Sequence, residues 1–122
     1  MLSKYCLTGL PILALACTAL SCVAQEQRPV ASDKKVIIAR GKMLFVKASC
    51  WGCHPHGENS LNGDKPLKGP GFEKRYKSDQ SIIDFVRHGS PDFGMPPFPR
   101  EKLSDGDLKT IIVFIRSLSD AK

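Results

Sequence analysis

Between Asp33 and Ala48, positions Ile37, Ile38, Gly41, Leu44, Phe45 and Ala48 recur at spacings of three and four, which places them on one side of a helix. Ser32 precedes the run and predicts its N-cap. Gly41 sits in the middle of that face, where glycine costs helix stability, so the pattern predicts a close crossing by another helix. A second run covers Asp79 to His88, with Ile82, Ile83, Phe85 and Val86 apolar, Ser78 as cap and Gly89 as stop. Ser104-Asp105-Gly106-Asp107 is a capping-box pattern that opens a third helix to about Ser117. Its apolar positions are Leu108, Ile111, Ile112, Ile115 and Leu118, with Phe114 alongside Ile111.

The stretches between these runs lose the periodicity. Cys50 to Lys77 is crowded with glycine, proline and turn residues and reads as loop with one helical turn at most. Residues 89–100 contain Pro91, Pro96, Pro97 and Pro99, which excludes regular structure there. No internal repeat or low-complexity segment is present. The pattern predicts an all-α domain of three main helices joined by Gly/Pro-rich loops, over residues 33–119.

The N-terminal residues follow other rules. Met1 to Lys4 is a short, weakly basic start, Tyr5 to Leu20 is apolar without an acidic residue, and Ser21 to Ala24 ends in small side chains. This is the pattern of a secretory signal peptide over residues 1–24, followed by a polar leader over residues 25–32. A membrane-spanning helix is the competing reading, but the apolar run is about four residues short of the roughly 20 a span needs. Cys22 follows Ala19-Leu20-Ser21, so a lipoprotein signal ending before Cys22 is a further reading. Cleavage after Ala24 gives an exported, periplasmic, soluble protein, and lipidation gives one tethered to a membrane.

Removal of residues 1–24 changes the cysteine count and the charge. Of the five cysteines, Cys6, Cys17 and Cys22 leave with the signal, and Cys50 and Cys53 remain. One of the 18 basic residues (Lys4) and none of the 12 acidic ones is lost, so the net charge is +5. A Cys-x-x-Cys disulfide closes too small a loop to stabilise much, and a domain of this size commonly needs further support for its core. A large apolar cofactor would supply it.

Cys50-Trp51-Gly52-Cys53-His54 is the haem-attachment pattern Cys-x-x-Cys-His. Two thiols at this spacing can add to the two vinyl groups on one haem edge, and the adjacent His54 then lies under the iron as axial ligand. A thioredoxin-like dithiol needs a strand–helix–strand setting that is not visible before Cys50. A zinc site would use Cys50, Cys53 and two of His54, His56 and His88, yet nothing in it requires histidine directly after the second cysteine.

For the sixth iron ligand, Met95 lies in the stiff, uncharged segment Phe93-Gly94-Met95-Pro96-Pro97-Phe98-Pro99. A thioether held by such a segment suits a ligand meeting the iron from the other side, although methionine also serves as ordinary core filler. His88 is the rival, with the simpler role of a helix C-terminal residue. His56 is too close to His54 to pass around the haem edge. Trp51 reads as a haem-edge packer or a partner anchor, packing being favoured.

These elements, in order, resemble class I monohaem c-type cytochromes over about residues 36–119. The resemblance is carried by Gly41 and Phe45, the motif at 50–54, Gly69-Pro70 in the loop, Met95-Pro96, and the closing Phe114-Ile115-Arg116-Ser117-Leu118. It implies a small cytochrome c-like fold around one covalent haem c, with first and last helices crossing at Gly41, Phe45, Ile111 and Phe114. It also implies that the Pro70 region belongs to the haem pocket and supports His54, whose free ring nitrogen donates to a backbone carbonyl. Phe114 departs from the family, where tyrosine is frequent.

With both axial positions filled by protein, the expected activity is outer-sphere transfer of single electrons, free-standing or as the cytochrome subunit of a larger oxidoreductase, and not catalysis. The alternative is a haem enzyme or gas-binding sensor in which Met95 is labile or never bound. Lys65, Lys68, Lys74, Arg75 and Lys77 make the loop after the motif basic. That suits docking to a redox partner with an acidic surface, or it is a solvated face. Nucleic acid is not indicated as a partner, and a membrane is one only with lipid at Cys22 or an uncleaved signal.

Overall fold

The computed structural model describes residues 30–120. The expected signal segment 1–24, and residues 25–29 of the expected leader, lie outside the described residues. The chain folds as four α-helices with no strand among the described residues: α1 (Val30–Lys47), α2 (Gly69–Arg75), α3 (Asp79–His88) and α4 (Asp105–Asp120).

Helix α1 starts earlier than expected. Val30 and Ala31 contain no breaker, so the helix runs through Ser32, which lies in the first turn instead of capping it. The crossing expected at Gly41 is present. A Cβ there would stand 2.4 Å from the Thr110 carbonyl oxygen and 2.8 Å from Phe114 Cβ. One turn on, the rings of Phe45 and Phe114 meet edge to face, with centroids 5.4 Å apart. Phe45, Leu108, Ile111 and Ile112 are almost wholly buried around this contact. Ile37, placed on the same face by the spacing, sits at its edge and stays 43% exposed.

The expected single turn after the motif is a seven-residue helix, α2. Pro70 is tolerated in its first turn, where the missing N–H is no loss, and Phe72 is buried. The last turns of α4 hold this helix, which is why α4 continues past Ser117. Ser119 Oγ accepts from Gly69 N at 2.9 Å and donates to Glu73 Oε1 at 3.3 Å. Arg116 donates to Glu73 Oε2 (2.7 Å), the Tyr76 carbonyl (2.8 Å) and Asp79 Oδ1 (3.1 Å), so one guanidinium joins α2, its exit and the start of α3.

Helix α3 has the bounds and cap read from the sequence. Ser78 Oγ accepts from Ser81 N at 3.2 Å, and Gly89 follows the last turn. Ser104 likewise caps α4 by accepting from Asp107 N at 3.1 Å. Between α3 and α4 the proline-rich segment is more ordered than expected. Pro91–Phe93 forms a 3-10 turn, and Ser90 and Met95 pair across it as an isolated antiparallel bridge. Proline at the start of such a turn loses no hydrogen bond.

The crossing yields a direct prediction. Gly41→Ala should destabilise the holoprotein by about 1–3 kcal/mol, because the atoms it meets are helix backbone and Cβ and cannot swing aside. Chemical denaturation of the two proteins measures the difference, and an unchanged midpoint would contradict the close approach.

Candidate functional site

A cavity of about 490 Å³ opens between α3, α4 and the two loops. That volume lies within the range of pockets that bury a small-molecule cofactor. Phe45, Phe72, Ile82, Ile111 and Ile115 make much of its wall apolar. Cys50, Cys53, His54 and Met95 all line it.

Helix α1 delivers the first three. Its end turns through Ser49, which adopts a left-handed backbone (φ 65°), into the 3-10 turn Cys50–Gly52. The bond from His54 N to the Cys50 carbonyl, 2.9 Å, then folds the motif on itself. Cys50 is half-buried, and burial pushes its thiol up to about 11. An activated dithiol would need the opposite shift, and no strand precedes it among the described residues, so the thioredoxin-like reading loses its support. The zinc reading loses its own, because no three histidine, cysteine or acidic side chains come together to hold a metal among the described residues.

His54 Nδ1 lies 3.0 Å from the Glu58 carbonyl oxygen. A carbonyl only accepts, so Nδ1 donates to it, which leaves Nε2 as the ring nitrogen available to a metal. The resemblance pointed to the Pro70 region for this support. Pro70 instead lies exposed in α2 and is not among the cavity's lining residues, which include Pro66 and Leu67. The signal that was available is that Pro66-Leu67 is an apolar pair inside an otherwise charged loop. Trp51 also faces away from the cavity, its ring against His56 at 4.7 Å and below Lys42 Nζ at 5.9 Å.

Met95 is positioned by α3. Its N and O bond to Ser90 O and N at 3.1 and 2.8 Å, closing the tight loop 90–95. The strap then crosses Gly89, which has φ +67°. A Cβ at Gly89 would lie 2.6 Å from Pro96 C and Pro97 N and 2.7 Å from Met95 O, all backbone atoms. Arg87 fastens the far end by donating to the carbonyls of Phe98 and Leu103, both at 2.7 Å, while Phe98 N donates to Val86 O at 3.1 Å. His88, the rival ligand, is exposed, bonds Asp84 O through Nδ1 at 2.9 Å and does not line the cavity.

Residues 37–115 match the family described as cytochrome c oxidase, cbb3-type, subunit III. The chain is also similar to cytochrome c6 of Cyanidium caldarium, with 31% identity over 84 residues, 68% of this chain and 72% of that one. Cytochrome c6 of Gracilaria tenuistipitata var. liui is 30% identical over 81 residues, 66% of this chain and 71% of that one. The chain belongs to the monohaem c-type cytochromes. No solved structure matches it. A c-type cytochrome carries covalently bound haem c and works as an electron carrier, not an enzyme. The residues present fit that group: an apolar cavity, two thiols at attachment spacing, and an imidazole in the cavity wall whose Nδ1 is taken up by the Glu58 carbonyl.

The strap of this cytochrome has a built-in acid sensitivity. Asp105 accepts from Arg87 Nη2 at 2.6 Å and Arg100 Nε at 2.9 Å. Hydrogen bonds from Arg100 first, then Arg87, hold its carboxyl below the ordinary value of 3.8. A depressed value means that Asp105 stabilises the fold fully above the unfolded-state value and loses that contribution as pH falls through the lowered one. Asp105→Asn should therefore be less stable than the parent at about pH 7, with the deficit shrinking once pH falls past the ordinary carboxyl value of 3.8 and through the lowered one. Denaturation midpoints across that range check it; a deficit independent of pH would show that charge is not the cause.

Proposed function

We propose that Cys50 and Cys53 are the two thioether attachment points of the haem, and that His54 and Met95 are its axial ligands. The protein then shuttles single electrons between exported or membrane-bound redox partners. One observation carries the reading: Met95 lines the same cavity as the Cys50–His54 motif, whereas His88 does not.

When bound, the haem supplies a one-electron couple at its iron. The chain does the rest. Cys50 and Cys53 would hold the group covalently, and the Glu58 carbonyl orients the His54 ring through Nδ1, leaving Nε2 for the metal. Gly89, Ser90 and Arg87 hold Met95 in a strap that cannot shift far between oxidation states, which keeps reorganisation small. The apolar walls exclude water, and a thioether ligand opposite imidazole raises the potential relative to two histidines. Lys65 and Arg75 are the cationic side chains of the cavity wall. Together with exposed Lys74 and Lys77 they offer a basic surface to an acidic partner. Lys68 contributes less, since it is paired with Glu58 at 2.5 Å.

Met95→Ala tests the assignment. The haem should stay attached, as a pyridine haemochrome spectrum reads, while the red-region methionine-to-iron band of the oxidised protein disappears. The potential should fall by on the order of 0.1–0.3 V, a fraction of the ~0.8 V that axial ligands command. The reduced variant should also gain carbon monoxide binding. An unchanged spectrum would assign the ligand elsewhere, with His88 next to examine. Parent protein that already lacks the band and binds carbon monoxide rapidly would favour the sensor or enzyme reading.

Gly89→Ala should act on the same ligand from behind. The added methyl meets only backbone of the strap, so the band should weaken and the potential fall while the haem remains covalently bound. Full retention of the band would contradict the placement of Met95 over Gly89.

A further inference from the structure

Helix α1 is apolar on two opposite sides. The inner side meets α4 through Gly41 and Phe45. The outer side carries Val36, Ala39, Met43 and Val46 at spacings of three and four. All four are exposed, Val36 to 64%, Met43 to 68% and Val46 to 51%. A continuous apolar stripe on so small a domain marks a contact surface.

The charges around it say with what. At 3.6 residues per turn, Lys35 and Lys42 follow one edge of the stripe and Arg40 and Lys47 the other. All four are exposed, and none forms an ion pair among the described residues. No carboxylate interrupts the helix from Lys34 to Lys47. A second copy laid on this stripe would set cations against cations. Val36, Met43 and Val46 line neither the haem cavity nor the smaller pocket bordered by Lys42, Trp51 and Phe114, so they do not form the wall of either groove. An anionic bilayer needs none: apolar side chains enter the headgroup boundary while lysine and arginine arms reach the phosphates.

We propose that the outer face of α1 seats this cytochrome on an anionic phospholipid bilayer. None of the stripe or flanking residues lines the haem cavity, so seating leaves that cavity open to redox partners.

Co-sedimentation of the mature holoprotein with phosphatidylcholine vesicles, with and without phosphatidylglycerol, tests this. A lipid at Cys22 would add binding to both vesicle types, so the difference between them is the readout. The protein should prefer the anionic vesicles, and salt should remove the preference. Arg40→Ala with Lys47→Ala should weaken that binding roughly thirtyfold, as each cation near such a surface contributes about fivefold to partitioning. Met43→Ser with Val46→Ser should weaken it as well, with the visible spectrum and reduction by a small-molecule donor unchanged. Equal binding to both vesicle types, or binding that neither variant weakens, would overturn the proposal. A dimer that the serine variant dissociates would assign the face to a second copy. Intact vesicle binding with slowed transfer to a protein partner would assign it to that partner.

Discussion

Everything around the cavity depends on how closely α1 and α4 cross. The missing side chain at Gly41 lets the backbone of α1 reach the Thr110 carbonyl and the base of Phe114. With the helices that near, Phe45 and Phe114 share an edge-to-face contact, and Phe45 also forms part of the cavity wall. The crossing therefore does more than close a core. It fixes the end of α1, and with it the point where Ser49 turns the chain into Cys50. Three of the four chemically significant side chains inherit their position from one glycine.

The fourth has a different support. Met95 belongs to a segment with four prolines and no helix of its own, and stiffness alone does not aim a side chain. Direction comes from α3: its terminal Gly89 lets the strap cross directly above, the Ser90–Met95 bridge sets the register, and Arg87 ties the carbonyls further along. Arg87 is mostly buried and its Nε finds no partner. A cation in that setting is tolerated because three of its four remaining donors meet two carbonyls and the Asp105 carboxylate. Changes to this cluster reach Met95 without touching the cavity.

The helices and the motif were legible because local rules govern them. Ser78 and Gly89 bound α3 by capping chemistry alone, and Cys50 to His54 are contiguous, so their geometry needs no tertiary partner. What was not legible depends on distant residues. The length of α2 and the extension of α4 arise together, since Ser119 and Arg116 hold residues 50 and 43 positions earlier. The backbone carbonyl expected behind His54 is present, but that it belongs to Glu58 was not legible, because a carbonyl carries no side-chain signature. In this loop Pro66 instead of Pro70 lines the cavity because the loop's path, not its composition, decides which proline faces inward. Residues 1–29 carry expectations about export that the described residues do not touch.

The two-sided character of α1 follows from the same economy. A helix that met only α4 would need one apolar stripe, and the other would cost solubility without return. Val36, Met43 and Val46 are not remnants of a core that failed to close, because the inner face is already filled by Gly41 and Phe45. Nor do they belong to the cavity, whose exposed apolar residues Leu61, Phe85 and Phe93 lie on other segments. The chain thus spends exposed apolar area in two separate places, one around the haem cavity and one on the outer face of α1. The first borders the cavity that holds Cys50, Cys53, His54 and Met95. The second, edged by cations and remote from the cavity, can hold the molecule against a surface without obstructing it.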